Sequence, residues 1–228
     1  MINNFLLDAD ETILDFVRSS RESLRFALEM SGIEYHEEYF AAYKAINDAI
    51  WKEYERGEIT KAMLSVVRFS RFFDRIGICA DAAKTNEIYF KKLSKTGYML
   101  PGADQFLRQM KLRGKIYLIT NGTPAAQYGR LDSLGIRDAF EGIYVSDEIG
   151  YAKPDRRFFE YVLQKEALRK NECIVIGDSL SSDIAGAGNA GLKCIWYNPT
   201  DKPLFGASPD YIASDYARIL AIIDSLKD

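Results

Sequence analysis

The chain has 228 residues, 47% of them hydrophobic and 28% charged, so it can bury a core without disulfides or metals as staples. This composition excludes a disordered chain and a collagen-like fibre. The 30 basic and 33 acidic residues leave a net charge of −3, which excludes a broad basic surface for nucleic acid but not a local pocket for a small anion.

The three cysteines are too far apart for a disulfide framework or a CxxC metal site: Cys79, Cys173 and Cys194. We expect free, mostly buried thiols in a reducing compartment. The start of the chain lacks the basic segment of a signal peptide, and no apolar run approaches the about 20 residues that span a bilayer. These features predict a cytoplasmic protein without membrane or nucleic acid partners.

The first half of the chain is predicted to be mostly helical. Residues 5–7 form a short apolar run before an acidic cluster and predict a buried strand. From residue 16 to residue 95, apolar side chains recur at three- and four-residue spacing. This pattern predicts helices around residues 24–31, over residues 40–54, after Thr60 as N-cap, and over residues 81–93.

After Gly97 the pattern changes to strands that alternate with helices. Strands are predicted at residues 116–119, 143–145, 173–176, 194–196 and 211–213. Thr123 and Pro124 predict a helix start, with a capping hydroxyl followed by proline at the first helical position. Continuous apolar strands between helices indicate a parallel sheet covered on both faces. We therefore predict an α/β fold with a Rossmann-like core, residues 1–15 and 97–228, and an all-helical insert, residues 16–96.

Polar residues follow the predicted strands where parallel sheets bind ligands, beyond the carboxyl ends of the strands. They are Asp8 and Asp10 after the first strand, Thr120, Asn121 and Gly122 after the second, Lys153 beyond the third, and Asp178, Ser179 and Asp183 after the fourth. Each group alone is also common in solvated loops and turns. Their joint occurrence, each after a predicted strand, favours a functional site.

The acidic residues predict a site for a divalent cation. Asp8 and Asp10 are two residues apart, so an extended backbone directs both side chains to one side. Neighbouring carboxylates repel one another unless a cation or a shared proton intervenes, and Asp178 adds a third. Mg²⁺ prefers oxygen ligands together with waters and a phosphate.

The remaining polar groups predict a site for a phosphoryl group. The hydroxyl of Thr120 and the amides of Asn121 and Gly122 offer neutral donors to phosphate oxygens. Lys153 would supply positive charge. The whole set is complementary to a phosphoryl group bound to a metal ion.

Four segments resemble the four motifs of the haloacid dehalogenase (HAD) superfamily. They are Leu-Asp-Ala-Asp-Glu-Thr at 7–12, Ile-Thr-Asn-Gly at 119–122, Lys-Pro at 153–154, and Ile-Gly-Asp-Ser at 176–179 with Asp183. The resemblance covers the whole chain, because the helical insert is similar to the helical cap of subfamily I. The first motif, the insert run 47–60 and Arg68-Phe69 are similar to bacterial pyrimidine 5′-nucleotidases of this superfamily.

The resemblance implies a Mg²⁺-dependent phosphomonoester hydrolase that acts through an aspartyl-phosphate. Asp8 would be the nucleophile, and Asp10 would protonate the leaving oxygen and later deprotonate a water. Mg²⁺ would be held by Asp8, the backbone carbonyl of Asp10, and Asp178.

Further roles follow from the same resemblance. Thr120 and the amide of Asn121 would hold phosphate oxygens, and Lys153 would neutralise the nucleophile and the phosphoryl group. The resemblance also allows a cis bond between Lys153 and Pro154. Asp183 and Ser179 would lie behind the contact residues, where Asp183 would orient Lys153 or waters on the Mg²⁺.

Other functions remain open beside this one. A sugar-phosphate or phosphoglycolate-type phosphatase, or a phosphomutase, would use the same core residues. A 2-haloacid dehalogenase is disfavoured, because it needs neither a metal nor an acid at the position of Asp10. A phospho-accepting receiver is about half this length and lacks a helical insert, and nothing in the intact motifs favours a catalytically silent binding protein.

The substrate is predicted less directly than the chemistry. The insert is rich in aromatic residues, and a pyrimidine base could stack on one of them, although helical spacing places most of them in a core. Trp51, Tyr54 and Arg68 are the candidate contacts. The expected partner is a small phosphorylated metabolite such as a nucleoside monophosphate, bound by a monomer or a small homo-oligomer under a hinged insert that excludes water.

Overall fold

A six-stranded parallel sheet forms the centre of the computed structural model, which describes residues 1–226. Its strand order is β3-β2-β1-β4-β5-β6, so the direction of the chain across the sheet reverses at β1. The strands are β1 Asn4–Asp8, β2 Lys115–Thr120, β3 Gly142–Val145, β4 Cys173–Gly177, β5 Lys193–Tyr197 and β6 Tyr211–Ala213. The ends of β1, β2 and β4 therefore meet at a topological switch point, where such sheets bind ligands.

Ten α-helices accompany these strands within residues 1–226. The helical insert between β1 and β2 consists of α1 Phe16–Met30, α2 Glu37–Glu55, α3 Lys61–Ile76 and α4 Ala82–Leu93. The remaining helices are α5 Ala103–Lys111, α6 Pro124–Leu134, α7 Ser146–Ile149, α8 Arg156–Lys165, α9 Ala185–Ala190 and α10 Tyr216–Ser225. None of the helices in the described part of the chain is long and apolar enough to cross a bilayer.

Residues of β1 alternate between the two faces of the sheet, as the two-residue period of a strand requires. Phe5 and Leu7 pack with Phe106 of α5 on one face. Leu6 packs with Phe158 of α8 on the other face. The sheet is therefore buried on both sides, which explains why the predicted strands read as continuous apolar runs.

Aromatic side chains fill the core of the helical insert. Phe40 and Tyr43 of α2 pack with Phe69 and Phe72 of α3 and with Tyr89 of α4. The rings of Tyr43 and Phe72 meet edge to face, with centroids 5.6 Å apart, an arrangement that aromatic pairs prefer. Most aromatic residues of the insert thus stabilise the insert itself.

The helix starts predicted at Thr60, Asp81 and Thr123 are confirmed except for one cap. The side chains of Thr60 and Asp81 accept hydrogen bonds from the first turns of α3 and α4. Thr123 is the N-cap of α6, but its hydroxyl makes no capping bond, so that part of the prediction is wrong. Pro124 at the first helical position has no N–H to satisfy and already fixes a helical φ, which lowers the need for a side-chain cap.

Two short backbone segments connect the insert to the sheet side by side. The amide of Asp15 donates to the carbonyl of Tyr98 at 2.9 Å, and the amide of Leu100 donates to the carbonyl of Ile13 at 2.9 Å. This pair of crossings lies where a hinge is expected. The domain boundaries at residues 15–16 and 96–97 stay a prediction.

The cysteines differ sharply in their accessibility. Cys79 is exposed, whereas Cys173 and Cys194 are buried in β4 and β5. Burial raises the pKa of the Cys173 thiol to about 12 and that of the Cys194 thiol to about 11, so both stay protonated and unreactive near neutral pH.

We expect a thiol reagent at pH 8 to label the folded protein rapidly at Cys79 only. Cys173 and Cys194 should react only after denaturation, since unfolding exposes both strands. Mass spectrometry of the labelled peptides measures this, and Cys79→Ser is the control that should remove the rapid phase. Rapid labelling of Cys173 or Cys194 in the folded protein would contradict the burial of these strands.

Candidate active site

A cavity of about 1220 Å³ lies between the carboxyl end of the sheet and the helical insert. All nine predicted core site residues line it together: Asp8, Asp10, Thr120, Asn121, Gly122, Lys153, Asp178, Ser179 and Asp183. The sheet brings them together because each follows a strand that ends at the same edge. The insert contributes side chains from α1, α2, α3 and α4 to the opposite wall.

Three carboxylates form the centre of the cavity. Asp8 ends β1, Asp178 follows β4, and Asp183 lies in a π-helical turn, Leu180–Ile184, before α9. One oxygen from each lies within 4.8 Å of the others. A Cβ atom on Gly177 would lie 2.3 Å from a carboxylate oxygen of Asp183, so only glycine allows this approach.

Lys153 joins two of these carboxylates. Its Nζ donates to Asp8 Oδ1 and to Asp183 Oδ1, both at 2.6 Å, while its residue is only 1% exposed. Asn121 fixes the segment, since its side-chain amide donates to the Lys153 carbonyl at 2.7 Å and accepts from the Lys153 amide at 2.9 Å. The bond between Lys153 and Pro154 is cis, as the resemblance allowed.

Burial destabilises the ionised forms of Asp8 and Asp178. Burial raises the pKa of Asp8 to about 7; Asp183 adds to the shift and Lys153 opposes it. Burial also raises the pKa of Asp178 to about 7; Asp8 adds to this shift and Lys202 opposes it. Burial alone would lower the pKa of Lys153, but the carboxylates of Asp183 and Asp8 outweigh it, and that pKa is raised.

The cluster therefore has the donor chemistry of a site for a hard divalent cation. Its ligands are carboxylate oxygens, and two lysines, of which only Lys153 is buried, do not balance the three carboxylates. A bound divalent cation would favour the ionised form of each acid. Mg²⁺ fits this oxygen set, which leaves room in the cavity for waters or a phosphate.

The side chain of Asp10 does not join this cluster. Arg130 of α6 binds both of its oxygens, at 2.6 Å and 3.1 Å, and Gln127 donates to Oδ2 at 2.8 Å. Arg130 is 2% exposed, so this is a buried guanidinium held beside a carboxylate at the cavity wall. Neither partner was predicted from the sequence, where their only signal was a polar pair three residues apart, on one face of the helix after the second motif.

The hydroxyl of Thr120 is placed to donate toward the cavity. Its Oγ1 accepts from Gln127 Nε2 at 2.7 Å and from the Gly122 amide at 3.0 Å. Since both lone pairs are engaged, the hydroxyl hydrogen is the group left for a ligand. The amide of Gly122 donates to Thr120, so it is not the free phosphate donor predicted from the sequence.

The three insert residues predicted to contact substrate occupy different places. Trp51 and Arg68 line the cavity. Tyr54 is not among the lining residues of the described chain; its ring packs edge-on against Trp51, with centroids 5.6 Å apart. The expectation of a substrate contact for Tyr54 is therefore corrected, because its ring faces another side chain.

Direct contacts join the insert to the sheet edge at the cavity mouth. Lys61 of α3 donates to the carbonyls of Asn121 and Gly122 at 2.5 Å and 2.7 Å, and pairs with Asp147 at 2.7 Å. The hydroxyl of Ser181 donates to Glu55 at 2.7 Å. These contacts hold the insert over the cavity, and sequence spacing gave no signal for them.

Comparisons with known proteins identify the class of enzyme. The chain is 35% identical to pyrimidine 5′-nucleotidase PynA of Streptococcus pneumoniae over 228 residues, 98% of this chain and 96% of that protein. It is also 35% identical to pyrimidine 5′-nucleotidase YjjG of Escherichia coli, with 84% of each chain covered. These similarities agree with the chemistry of the site, and the protein is a hydrolase.

The family follows from sequence and fold together. A sequence profile of haloacid dehalogenase-like hydrolases matches residues 2–191. The crystal structure of the HAD-hydrolase YfnB of Bacillus subtilis bound to magnesium is 31% identical, with a TM-score of 0.92 over 98% of this chain and 99% of that chain. This chain belongs to the haloacid dehalogenase-like hydrolase family.

Proposed function

We propose that the protein is a Mg²⁺-dependent phosphatase that hydrolyses pyrimidine nucleoside 5′-monophosphates through an aspartyl-phosphate intermediate. The observation that carries this proposal is the buried 2.6 Å contact between Asp8 and Lys153 inside a cluster of carboxylates. A lysine at this place favours the carboxylate form of Asp8 and offsets the charge of an incoming phosphoryl group. PynA and YjjG, which are named pyrimidine 5′-nucleotidases, support the substrate class.

The first step transfers the phosphoryl group to Asp8. A carboxylate oxygen of Asp8 attacks phosphorus, and the bond between phosphorus and the nucleoside oxygen breaks. Asp10 acts as the general acid and gives a proton to that oxygen, so a neutral nucleoside leaves. Lys153 and the Thr12 hydroxyl hold the two oxygens of Asp8, at 2.6 Å and 3.2 Å, which restricts rotation of the nucleophile.

The second step returns Asp8 to its starting form. A water attacks the phosphorus of the aspartyl-phosphate, and Asp10, now deprotonated, takes a proton from that water. The bond between phosphorus and Asp8 breaks and inorganic phosphate forms. The free hydroxyl hydrogen of Thr120 and the backbone amide of Asn121 supply donors for phosphate oxygens in both steps.

Two carboxylates and a backbone carbonyl would hold Mg²⁺ in this scheme: those of Asp8 and Asp178, and the carbonyl of Asp10. When bound, the ion neutralises the carboxylates and the phosphoryl oxygens. Asp183 stays paired with Lys153 and orients its ammonium group toward Asp8.

The direct test is phosphate release over a panel of phosphomonoesters in the presence of Mg²⁺. The panel contains ribo- and deoxyribonucleoside 5′-monophosphates, sugar phosphates and phosphoglycolate. We expect repeated turnover with the highest kcat/KM for a pyrimidine nucleotide such as UMP, dUMP or dTMP. A preference for sugar phosphates would support the proposed mechanism but overturn the proposed nucleotide substrate. Uptake of a single phosphoryl group without turnover would overturn the proposed phosphatase activity.

Arg130→Met is expected to lower kcat for UMP more than kcat for p-nitrophenyl phosphate. Arg130 holds the carboxyl group of Asp10, and general acid catalysis contributes about 10²–10⁴-fold when the leaving group is poor. The p-nitrophenolate leaves without a proton, so its release depends less on Asp10. Steady-state kinetics on both esters measure the difference.

Two variants control this prediction. Arg137→Met removes a half-exposed arginine that pairs with Asp132 near the end of α6, and it should leave both activities unchanged. Arg130→Lys should recover part of the activity on UMP, because its ammonium group can still donate to an oxygen of Asp10 and position that carboxyl group. Equal losses on the two esters in Arg130→Met would show a general structural role instead.

A further inference from the structure

Arg68 of α3 is a buried cation held by amide groups. It is 2% exposed, its Nη1 donates to Asn47 Oδ1 and its Nη2 donates to Asn86 Oδ1, both at 3.1 Å. Its guanidinium carbon lies 4.8 Å from the ring centroid of Phe90. Within residues 1–226 it forms no ion pair, and its Nε has no hydrogen-bond partner. A buried donor left unpaired at the wall of a cavity requires an explanation.

The guanidinium group of Arg68 determines which end of the Asn47 side-chain amide faces the cavity. Arginine has only donors, so the atom that contacts Nη1 must be the oxygen of the amide. The NH₂ group of Asn47 therefore points away from Arg68. Asn47 is 4% exposed and lines the cavity, and its Nδ2 has no partner in the described chain. It presents an unused donor, fixed in direction.

Aromatic side chains line the cavity wall to which this donor belongs. Trp51 lies one helical turn after Asn47 on α2, and Phe16 of α1 and Phe90 of α4 also line the cavity. Aromatic walls with few polar groups suit a flat ring whose orientation is set by one or two hydrogen bonds. A donor at this wall suits a ring that presents an acceptor to it, such as an oxo group.

We propose that Asn47, oriented by Arg68, determines base specificity by donating a hydrogen bond to the oxo group at position 4 of uracil or thymine. Cytosine carries an amino group at that position, so two donors would face each other. Uracil and thymine nucleotides are therefore preferred over cytosine nucleotides by about tenfold or more in kcat/KM. This inference rests on the nucleotide substrate proposed above.

Asn47→Asp is the most informative variant. One carboxylate oxygen still accepts from Arg68, and the other presents an acceptor where the amide presented a donor. The ratio of kcat/KM for UMP to that for CMP is expected to fall about tenfold or more. Asn47→Leu, which presents neither group, should bring the ratio toward one.

Asn86→Asp is the matched control. Asn86 accepts from the same arginine at the same distance of 3.1 Å, but it is not among the described residues that line the cavity. The variant adds the same charge beside Arg68, so it should leave the ratio for UMP and CMP unchanged. A change of ratio equal to that of Asn47→Asp would assign the effect to charge and overturn the base contact.

Inhibition by nucleosides provides a readout that needs no variant. Uridine should inhibit the parent protein competitively at a lower concentration than cytidine, and equal inhibition would overturn the inference. If the protein hydrolyses nucleotides but no Asn47 variant changes the ratio of kcat/KM for UMP to that for CMP, the role of Asn47 is overturned and the proposed function stands. Turnover of other phosphomonoesters without any nucleotide turnover would overturn the nucleotide substrate and this inference together.

Discussion

Asp8→Asn is expected to abolish phosphate release while the protein stays folded. The amide is a poor nucleophile, and removal of a covalent nucleophile costs at least about 10⁴-fold in kcat. Asparagine keeps the shape of the side chain. Burial raises the pKa of Asp8 to about 7, so the folded state already disfavours its charged form, and a neutral amide should not lower stability.

Phosphate release from UMP with Mg²⁺ measures the activity of this variant, and circular dichroism with thermal unfolding measures its fold. Asp104→Asn serves as the matched control, because Asp104 is an exposed acid on α5 that pairs only with Arg108 among the charged residues described. It should keep full activity. Activity of Asp8→Asn near that of the parent would exclude Asp8 as the nucleophile.

Lys153→Met is expected to give the largest loss of stability together with a loss of activity. Lys153 joins Asp8 and Asp183 through two buried contacts of 2.6 Å, and without it these carboxylates face each other unpaired. Breaking a buried ion pair from one side costs about 3–5 kcal/mol. The loss of a charge aimed at the phosphoryl group should also lower kcat by at least about 10²-fold.

Urea unfolding in the presence of a chelator measures the free energy of unfolding of this variant. Lys202→Met is the matched control: Lys202 contacts Asp178 at 3.3 Å, but its side chain is 54% exposed. Exposed pairs contribute less than about 1 kcal/mol, so this control should remain near the parent. A free energy of unfolding for Lys153→Met within about 1 kcal/mol of that of the parent would contradict the buried network.

A double variant separates the contributions of the network. Adding Asp183→Asn to Lys153→Met removes one of the carboxylates that the lysine neutralised. Because the two residues are in contact, their effects on the free energy of unfolding should not add. We expect the double variant to be more stable than Lys153→Met alone, and additive losses would argue against direct coupling.

Periodicity predicted the elements that have a continuous apolar face. The four helices of the insert and all six strands lie where the apolar spacing placed them. Short elements were missed, among them α7, Ser146–Ile149, and the π-helical turn Leu180–Ile184. Four or five mostly polar residues are too few to show a helical period, and their conformation follows from packing at the sheet edge.

The site was predictable where it depends on strand ends and not where it depends on packing between distant elements. Asp8, Asp178 and Asp183 converge because β1 and β4 are neighbours in a parallel sheet. Arg130 lies 120 positions after Asp10, and in the sequence it resembles an ordinary surface charge of α6. The orientation of the Asn47 side-chain amide depends on Arg68, which lies on another helix, so it could not be predicted from the sequence.

The most direct test of the central claim is to trap the covalent intermediate. The variant Asp10→Asn, given Mg²⁺ and p-nitrophenyl phosphate, can form the aspartyl-phosphate without a general acid but lacks the base that hydrolyses it. Rapid acid quenching and peptide mass spectrometry should find one phosphoryl group on the peptide that contains Asp8, with a matching burst of p-nitrophenol. A phosphoryl group on another residue, or steady turnover with no labelled peptide, would contradict Asp8 as the residue that carries the reaction.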